Sequence, residues 1–266
     1  MPVPSPVAGF SFVSARDRQL AGGVARRPCE KHAEIVMSVM SLASPPTKVE
    51  PLNAEQAASL DRDGYLLLRG AVPAAWRDAL RAAFDAGVGA GDQWAAPRGA
   101  GWRHALVDLD PTVQRTCRLP LLLAAGARML AGPFYLAQVE GREPLKDGGH
   151  QPLHRDGAGM KAVAALVFLD AYGPDNGATR VVPRHLDPGS LDHVEPAEAL
   201  SLITAGEAGD ILVFDADLAH GATCNRSGAR RRSLLLNFVE EGNRTTMEAC
   251  RAIRNVRMDT SEMFVP

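Results

Sequence analysis

The feature that most restricts the fold is a series of short apolar segments in the second half of the chain. Gly, Pro, Asp and Asn separate these segments, as is typical of residues between β-strands. Because the series follows a helical part, the sequence predicts a mainly β fold with flanking helices, either an antiparallel sandwich or a jelly roll. The predicted strands are FYLAQVEG (134–141), AVAALVFLD (162–170), ATRVVP (178–183), DILVFD (210–215) and RSLLLNFVE (232–240).

Before these strands, three segments predict helices. In NAEQAASLDRDG, Asn53 is a suitable N-cap with Gln56 three residues later, and the helix is expected to end near Gly64. VPAAWRDALRAAFDAG is amphipathic and is expected to end at Gly87, and LPLLLAAGARMLAG predicts a further helix. Between the first two helices, YLLLRG predicts a short strand.

We expect residues 51–266 to form a single domain. It comprises a helical part (51–132), a β core (about 134–240) and a C-terminal segment (241–266). Residues 1–50 mix Pro, Gly, Ser and Arg without periodicity, which predicts a disordered extension. Two alternatives for this extension are a transit peptide and a chain that truly starts at one of its internal methionines.

Charge and cysteine content argue against several classes of protein. With 29 Lys and Arg against 31 Asp and Glu, nothing favours binding to nucleic acid or to an anionic membrane. The four cysteines have no close spacing, which argues against a disulfide scaffold or a zinc knuckle and favours a reducing, cytoplasmic location. We see neither a membrane-length apolar run nor a secretory signal.

The segment HQPLHRDGAGM contains a candidate pair of metal ligands, His154 and Asp156. On an extended segment their side chains point to one face, and Arg155 points to the other. A third ligand is needed, and the best candidate is His220, which follows the predicted strand DILVFD. Two histidines and a carboxylate on one side of a metal suit non-haem Fe(II), which must also bind a co-substrate and O2. The alternative is a chance H-x-D with a structural histidine.

Three arginines, Arg230, Arg231 and Arg232, stand at the start of the apolar segment RSLLLNF. A guanidinium binds a carboxylate through two parallel hydrogen bonds. An arginine at this place could therefore pair with the distal carboxylate of a 2-oxo acid that chelates the metal. The alternative, a solvated basic turn, remains our interpretation of Arg230 and Arg232.

Taken together, several motifs between about residues 55 and 240 resemble those of the phytanoyl-CoA dioxygenase-like Fe(II)/2-oxoglutarate oxygenases. The resemblance implies a double-stranded β-helix (jelly-roll, cupin-like) core that holds Fe(II), uses 2-oxoglutarate and O2, and acts on a small organic molecule. It also implies that ascorbate stimulates turnover. The matching motifs are DGYLLLRGAVP, QPLHRDG, DNGATRVVP, AGDILVFDADLAHGATCNRS and RRSLLLNF.

By position, His154, Asp156 and His220 match the iron ligands of that family, and Arg231 matches its 2-oxoglutarate arginine. Gln151 and Thr179 match positions that contact the co-substrate in some relatives, although strand and turn structure would also explain them. The catalytic and metal residues implied are therefore the two histidines and the aspartate, and the co-substrate residues are Arg231, Gln151 and Thr179.

Two further histidines do not fit the pattern directly. Many relatives carry Gly-Ser-His after the NGATRVVP motif, whereas this chain has RHLDPGS. His185 either occupies the family's position shifted by one or is unrelated. His150 is expected to be a neighbour of the site rather than a ligand.

The presence of Asp156 bears on the type of reaction. Halogenases related to this family replace the metal carboxylate with a small residue, so the resemblance implies hydroxylation of an unactivated C–H bond, with 2-oxoglutarate converted to succinate and CO2. Desaturation, epoxidation and ring closure use the same iron site and stay open. The alternatives are a non-catalytic jelly-roll binding protein and a Zn²⁺-type jelly-roll hydrolase or isomerase, which has no need of Arg231.

Overall fold

Two β-sheets face one another, and helices cover the outer side of the larger sheet. The computed structural model describes residues 47–48, 51–94, 98–157, 159–191 and 194–266. The helices are α1 (Ala54–Asp63), α2 (Arg77–Ala90), α3 (Pro111–Thr116), α4 (Pro120–Leu130), α5 (Val194–Leu200) and α6 (Arg244–Ala249). The strands are β1 (Thr47–Lys48), β2 (Tyr65–Leu68), β3 (Trp102–Ala105), β4 (Phe134–Pro144), β5 (Gln151–His154), β6 (Ala162–Phe168), β7 (Thr179–Val181), β8 (Leu202–Ile203), β9 (Ile211–Asp215), β10 (His220–Ala222), β11 (Ser233–Glu240) and β12 (Phe264–Val265).

Within the described residues, the larger sheet has the order β1-β12-β4-β11-β6-β9-β2, with β3 paired to β4. The smaller sheet has the order β5-β10-β7-β8. The pairs are antiparallel except for β1 with β12. The prediction of a mainly β fold with flanking helices is confirmed, and all five of the predicted core strands are present.

Side chains alternate between the two faces of the larger sheet along its central strands. Each face is therefore covered by a separate cluster of buried apolar residues. On β11, Leu234 and Leu236 point outward, where the buried side chains of α2 and α4 cover them. Leu235 points inward and packs with Phe168 and Phe214 against residues of the smaller sheet, such as Val181. The space between the sheets is therefore lined by every second residue of these strands.

Local signals at the helix ends gave accurate predictions for α1. Asn53 caps the helix, accepting a hydrogen bond from the Gln56 backbone at 2.9 Å, and the Gln56 side chain accepts one from the Asn53 backbone. Gly64 ends it with φ of 75°. The predicted helix from Pro120 is also confirmed, although the left-handed residue that ends it is Ala131.

The expectation that α2 ends at Gly87 is wrong, because the helix continues to Ala90. Gly87 is buried inside the helix, where its carbonyl accepts a hydrogen bond from the Leu106 backbone at 3.0 Å. A Cβ atom at this position would lie 2.5 Å from the Leu106 carbonyl oxygen. The glycine at position 87 therefore allows another segment to approach the helix closely. It does not end the helix.

The predicted disordered extension lies outside the described residues, apart from Thr47–Lys48, which pairs in parallel with β12. The single domain over residues 51–266 stays a prediction. In the described part of the chain, no helix combines the length and apolar character needed to cross a membrane.

Candidate metal centre

His154, Asp156 and His220 converge between the two sheets. One ligand atom from each lies within 4.8 Å of the other two. His154 ends β5 and His220 begins β10, and the two are direct register partners in the smaller sheet. Oxygen atoms of Asp156 lie 3.5 Å from Nε2 of each histidine. The structure thus brings together the three predicted ligands.

The position of Asp156 has a different cause from the one predicted. Strand β5 ends at His154, so alternation along an extended strand does not place the carboxylate. Instead, the backbone N–H of Asp156 donates to the carbonyl of Ala216 at 2.8 Å, which fixes the turn after the strand. Arg155 points away from the site, as expected, and pairs with Asp187 at 2.6 Å.

Both imidazole rings are oriented by the backbone carbonyl of the residue two positions earlier in the chain. Nδ1 of His154 lies 2.8 Å from the Pro152 carbonyl, and Nδ1 of His220 lies 2.8 Å from the Leu218 carbonyl. Because a carbonyl only accepts, each Nδ1 carries the proton. Each Nε2 then presents its lone pair toward Asp156, the tautomer that a metal ligand needs.

The protonation and burial of the triad fit a bound cation. Burial, followed by the neighbouring His220, lowers the pKa of His154, which favours its neutral, ligating form. Burial alone would raise the pKa of Asp156, but His220 and His154 hold it below its usual value. Oδ1 of Asp156 is buried and has no hydrogen-bond partner among the described residues. Two imidazoles and one such carboxylate on one side suit Fe(II).

Arg231 lines the same cavity and has an unusual environment. It is only 2% exposed, and its Cζ lies 4.4 Å from the ring centroid of Tyr172 and 5.3 Å from that of Trp102. Its Nε makes no hydrogen bond to any described residue, and no ion pair of Arg231 occurs among them. Burial lowers its pKa, yet a guanidinium remains charged in proteins. A buried guanidinium that forms no ion pair with any described residue is suited to binding a carboxylate ligand.

The two flanking arginines are engaged by carboxylates. Arg230 is exposed and donates to Asp85 at 2.8 Å, whereas Arg232 is 8% exposed and pairs with Asp170 and Asp85, both at 2.8 Å. The interpretation as a solvated basic turn is therefore wrong for Arg232. These ion pairs hold the start of β11, so that of the three clustered arginines Arg231 is the one that lines the cavity.

We expect Asp170→Ala to lower the free energy of unfolding by about 3 kcal/mol, because it leaves the buried Arg232 without its principal partner. Urea denaturation measures the change. Asp175→Ala removes an exposed carboxylate nearby and should change stability by less than about 0.5 kcal/mol. Equal effects of the two substitutions would contradict this role of Asp170.

Gln151 and Thr179 also line the cavity, from β5 and β7. Their contacts with a co-substrate stay predictions. Sequence analysis did not identify Arg142 and Ser233, which line the same cavity from the larger sheet. The sequence pattern could have indicated Arg142, because polar residues occupy alternate positions at the end of FYLAQVEGREP and therefore lie on one face of a strand.

These alternate residues of β4 form a buried polar row beside the cavity. Glu140 is fully buried, accepts hydrogen bonds from Arg142 and Gln138, and lies 3.2 Å from a guanidinium nitrogen of Arg98. Burial alone would raise the pKa of Glu140, but the two arginines hold it below its usual value. The charged side chains of this row are therefore paired with one another and with Arg98 by hydrogen bonds and ion pairs.

His104 lies beside this row, and neither of its ring nitrogens has a hydrogen-bond partner among the described residues. Burial lowers the pKa of His104 from 6.5 to about 4. Between these pH values the unfolded chain binds a proton that the folded chain does not. We therefore expect the free energy of unfolding to fall as the pH decreases from 6.5 to about 4.

His104→Gln is the test, because glutamine does not titrate. The free energy of unfolding can be measured by urea denaturation at several pH values. It should fall less steeply with decreasing pH for His104→Gln than for the protein without the substitution. His150→Gln alters an exposed histidine and should leave the slope unchanged. Identical slopes for the unchanged chain and His104→Gln would contradict the prediction.

The remaining histidines singled out in the sequence lie away from the triad. His150 is exposed and is not part of the described metal-binding group. Nδ1 of His185 lies 3.0 Å from a carboxylate oxygen of Asp63, at the end of α1. Neither residue therefore extends the ligand set in the described structure.

Several solved structures, two of them with a bound metal, share this fold. EctD from S. alaskensis with bound Fe has 22% identity and a TM-score of 0.60, over 73% of this chain and 78% of that protein. The α-ketoglutarate-dependent epimerase SnoN from nogalamycin biosynthesis has 20% identity and a TM-score of 0.59, over 70% and 82%. HygX from Streptomyces hygroscopicus, with nickel and 2-oxoglutarate bound, has 20% identity and a TM-score of 0.57, over 71% and 88%. These likenesses confirm the predicted jelly-roll core.

Among curated proteins, no significant match to the sequence is found. The family model described as phytanoyl-CoA dioxygenase (PhyH), however, matches residues 60–233. That range includes all three residues of the triad and Arg231, and it covers more than half of the chain. The chain belongs to the phytanoyl-CoA dioxygenase (PhyH) family.

Proposed function

We propose that this protein is an Fe(II)- and 2-oxoglutarate-dependent dioxygenase that hydroxylates an unactivated C–H bond of a small organic molecule. The observation that carries the proposal is the presence of two complementary features in one cavity. The His154–Asp156–His220 triad offers ligands for a metal, and Arg231 offers a buried cation for a carboxylate. Solved structures of the same fold contain Fe, or Ni with 2-oxoglutarate, which supports this assignment.

In this proposal, His154, Asp156 and His220 would hold Fe(II) from one side, which would leave the metal able to bind 2-oxoglutarate and O2. The bound iron supplies the coupling of O2 reduction to 2-oxoglutarate decarboxylation, which gives succinate and CO2, and to oxidation of the substrate. The carbonyls of Pro152 and Leu218 keep both histidines in the ligating tautomer.

The other residues of the cavity orient the co-substrate and limit the access of water. Arg231 binds the distal carboxylate through its planar guanidinium, in a buried place where such a charge-assisted bond is strong. Gln151 and Thr179 contact the co-substrate from the smaller sheet. Leu166, Phe214 and Leu235 form an apolar wall on the opposite side.

The carboxylate of Asp156 supports hydroxylation in preference to halogenation, because it would itself be a ligand of the metal, whereas the related halogenases have a small residue there that leaves room for a halide. Proteins of this fold also include the epimerase SnoN and a carbocyclase, SnoK. Tracing isotopically labelled O2 separates hydroxylation from halogenation, epimerisation and carbocyclisation, since of these four only hydroxylation transfers an oxygen atom into the organic product.

We also propose that residues 51–266 act as one catalytic domain in a reducing, cytoplasmic environment. Among the described residues, Cys117, Cys224 and Cys250 are free thiols. Such a location agrees with a ferrous metal site, which oxidation would inactivate.

We expect the purified protein to convert 2-oxoglutarate to succinate in the presence of Fe(II), ascorbate and air, slowly without the organic substrate and faster with it. Chromatography of succinate measures the reaction. A chelator should abolish turnover, and Fe(II), but not Zn²⁺, should restore it. Hydrolysis supported by Zn²⁺ would favour the hydrolase alternative. Binding of 2-oxoglutarate in calorimetry without turnover would favour the non-catalytic one.

A further inference from the structure

The guanidinium of Arg231 lies beside two aromatic rings that come from opposite sides of β11. Its Cζ atom is 4.4 Å from the ring centroid of Tyr172 and 5.3 Å from that of Trp102. Trp102 belongs to β3, which pairs with the edge of β4 away from β11, whereas Tyr172 follows β6 on the other side. Both distances are within the range of a cation–π contact. Arg231 is therefore flanked by rings, whereas Arg230 and Arg232 are bound by carboxylates.

An aromatic ring and a carboxylate bind a guanidinium in different ways. A ring attracts the cation to its face and leaves the N–H groups at the edge of the guanidinium available as donors. A carboxylate accepts hydrogen bonds from those same N–H groups. Nε of Arg231 has no hydrogen-bond partner among the described residues, which agrees with the first kind of contact. The rings can therefore stabilise the buried cation without occupying the donors that the carboxylate of a ligand needs.

Contacts with other segments hold both rings in place. Tyr172 stacks on Phe168, with the ring centroids 3.6 Å apart and the planes inclined by 7°. The backbone of Tyr172 also exchanges two hydrogen bonds with Gly206, at 2.8 and 3.1 Å. The backbone N–H of Trp102 donates to the carbonyl of Gly99 at 3.1 Å, at the start of β3. Rings fixed in this way restrict the directions in which the long arginine side chain can point.

The two rings differ in their relation to the cavity that contains the triad. Trp102 lines this cavity beside Arg231. Tyr172 is 4% exposed and is not among the described residues that line it. Tyr172 can therefore affect a ligand in the cavity only through Arg231, whereas Trp102 can also limit the space around the guanidinium.

We propose that Trp102 and Tyr172 are positioning residues, whose rings hold Arg231 with its N–H groups available to the distal carboxylate of 2-oxoglutarate. This role rests on the proposed function, which assigns that carboxylate to Arg231. Because the rings act through the arginine, they set the affinity for the co-substrate. Binding of the metal by the triad does not depend on them.

Calorimetry with 2-oxoglutarate in the presence of Mn²⁺ tests this role, because it measures affinity without turnover. We expect Trp102→Leu and Tyr172→Leu each to weaken 2-oxoglutarate binding about threefold to tenfold, since binding must then also order the arginine side chain. Trp102→Phe and Tyr172→Phe keep an aromatic face and should change the affinity by less than about twofold. Pyruvate, which lacks the distal carboxylate, should bind all four variants as it binds the unchanged protein.

The matched control is Trp76→Leu, because Trp76 makes a similar contact with Arg115, at 4.8 Å, outside the cavity. This variant should bind 2-oxoglutarate with unchanged affinity. Adding Trp102→Leu to Arg231→Met should cause no further loss of affinity, because the ring then has no arginine to position. Circular dichroism establishes that each variant is folded.

Failure of the unchanged protein to bind 2-oxoglutarate in the presence of Mn²⁺ would overturn the proposed function. Normal binding by the unchanged protein, combined with unchanged affinity in folded Trp102→Leu or Tyr172→Leu, would overturn only the role of that ring. Equal losses for pyruvate and 2-oxoglutarate, or a further loss in the double variant, would mean that the substitutions do not act through Arg231. A loss in Tyr172→Phe as large as that in Tyr172→Leu would assign the effect to the hydroxyl group and overturn the role of the ring.

Discussion

Replacing His220 with alanine is expected to lower the affinity for Fe(II) by more than about 100-fold and to abolish succinate formation. Loss of residues that merely orient metal ligands costs about 10- to 100-fold, and His220 is proposed to be a ligand itself. Its Nε2 lies 3.5 Å from Asp156 and is buried, so neither water nor a neighbouring side chain is well placed to replace it. Metal content after dialysis and a titration with Fe(II) measure the affinity.

The matched control is His150→Ala, which removes an exposed histidine four residues before His154. This variant should keep both the metal and the turnover of the unchanged protein. Retention of iron with unchanged affinity by His220→Ala, or equal losses in both variants, would remove His220 from the ligand set.

Replacing Arg231 with methionine is expected to weaken 2-oxoglutarate binding by about 30-fold to several thousand-fold, while the affinity for Fe(II) stays the same. Loss of one partner of a buried, charged hydrogen bond costs about 2–5 kcal/mol. Methionine fills a similar buried volume, so the fold should be at least as stable as before. Calorimetry with 2-oxoglutarate measures the loss, and pyruvate, which lacks the distal carboxylate, should bind the unchanged protein and the variant similarly.

Arg230→Met is the control for this prediction, because Arg230 directs its side chain to Asp85 and Glu143 rather than into the cavity. Its affinity for 2-oxoglutarate should change by less than about threefold, because Arg230 does not line the cavity. A large loss in Arg230→Met with none in Arg231→Met would mean that the wrong arginine of the cluster has been assigned.

The parts of the fold that were predictable from sequence depend on local signals. The capping box of Asn53 with Gln56 and the left-handed Gly64 fix both ends of α1 within a few residues. Gly87 carries the same local signal as a helix end, but its role depends on Leu106, which comes from another segment. Nothing near Gly87 in the sequence distinguishes close packing from a helix stop.

In the candidate site, too, some features could be predicted from the local sequence and others depend on distant segments of the chain. The spacing of His154 and Asp156 suggested convergence, yet the turn that carries Asp156 is fixed by a hydrogen bond from its backbone N–H to the carbonyl of Ala216, sixty residues later in the chain. The resemblance to a known family selected Arg231 from three arginines. What separates it physically from Arg232 is the distant carboxylate pair Asp85 and Asp170, which no local pattern could reveal.

The direct pairing of His154 with His220 has a consequence for the lifetime of the protein. The two proposed ligands belong to adjacent strands of the smaller sheet, so capture of a metal and closure of β5 against β10 are one linked equilibrium. A bound metal ion would link β5 to β10. It would therefore raise the free energy needed to open this edge of the smaller sheet locally. Loss of the metal would then lower resistance to proteases at this edge of the sheet as well as turnover.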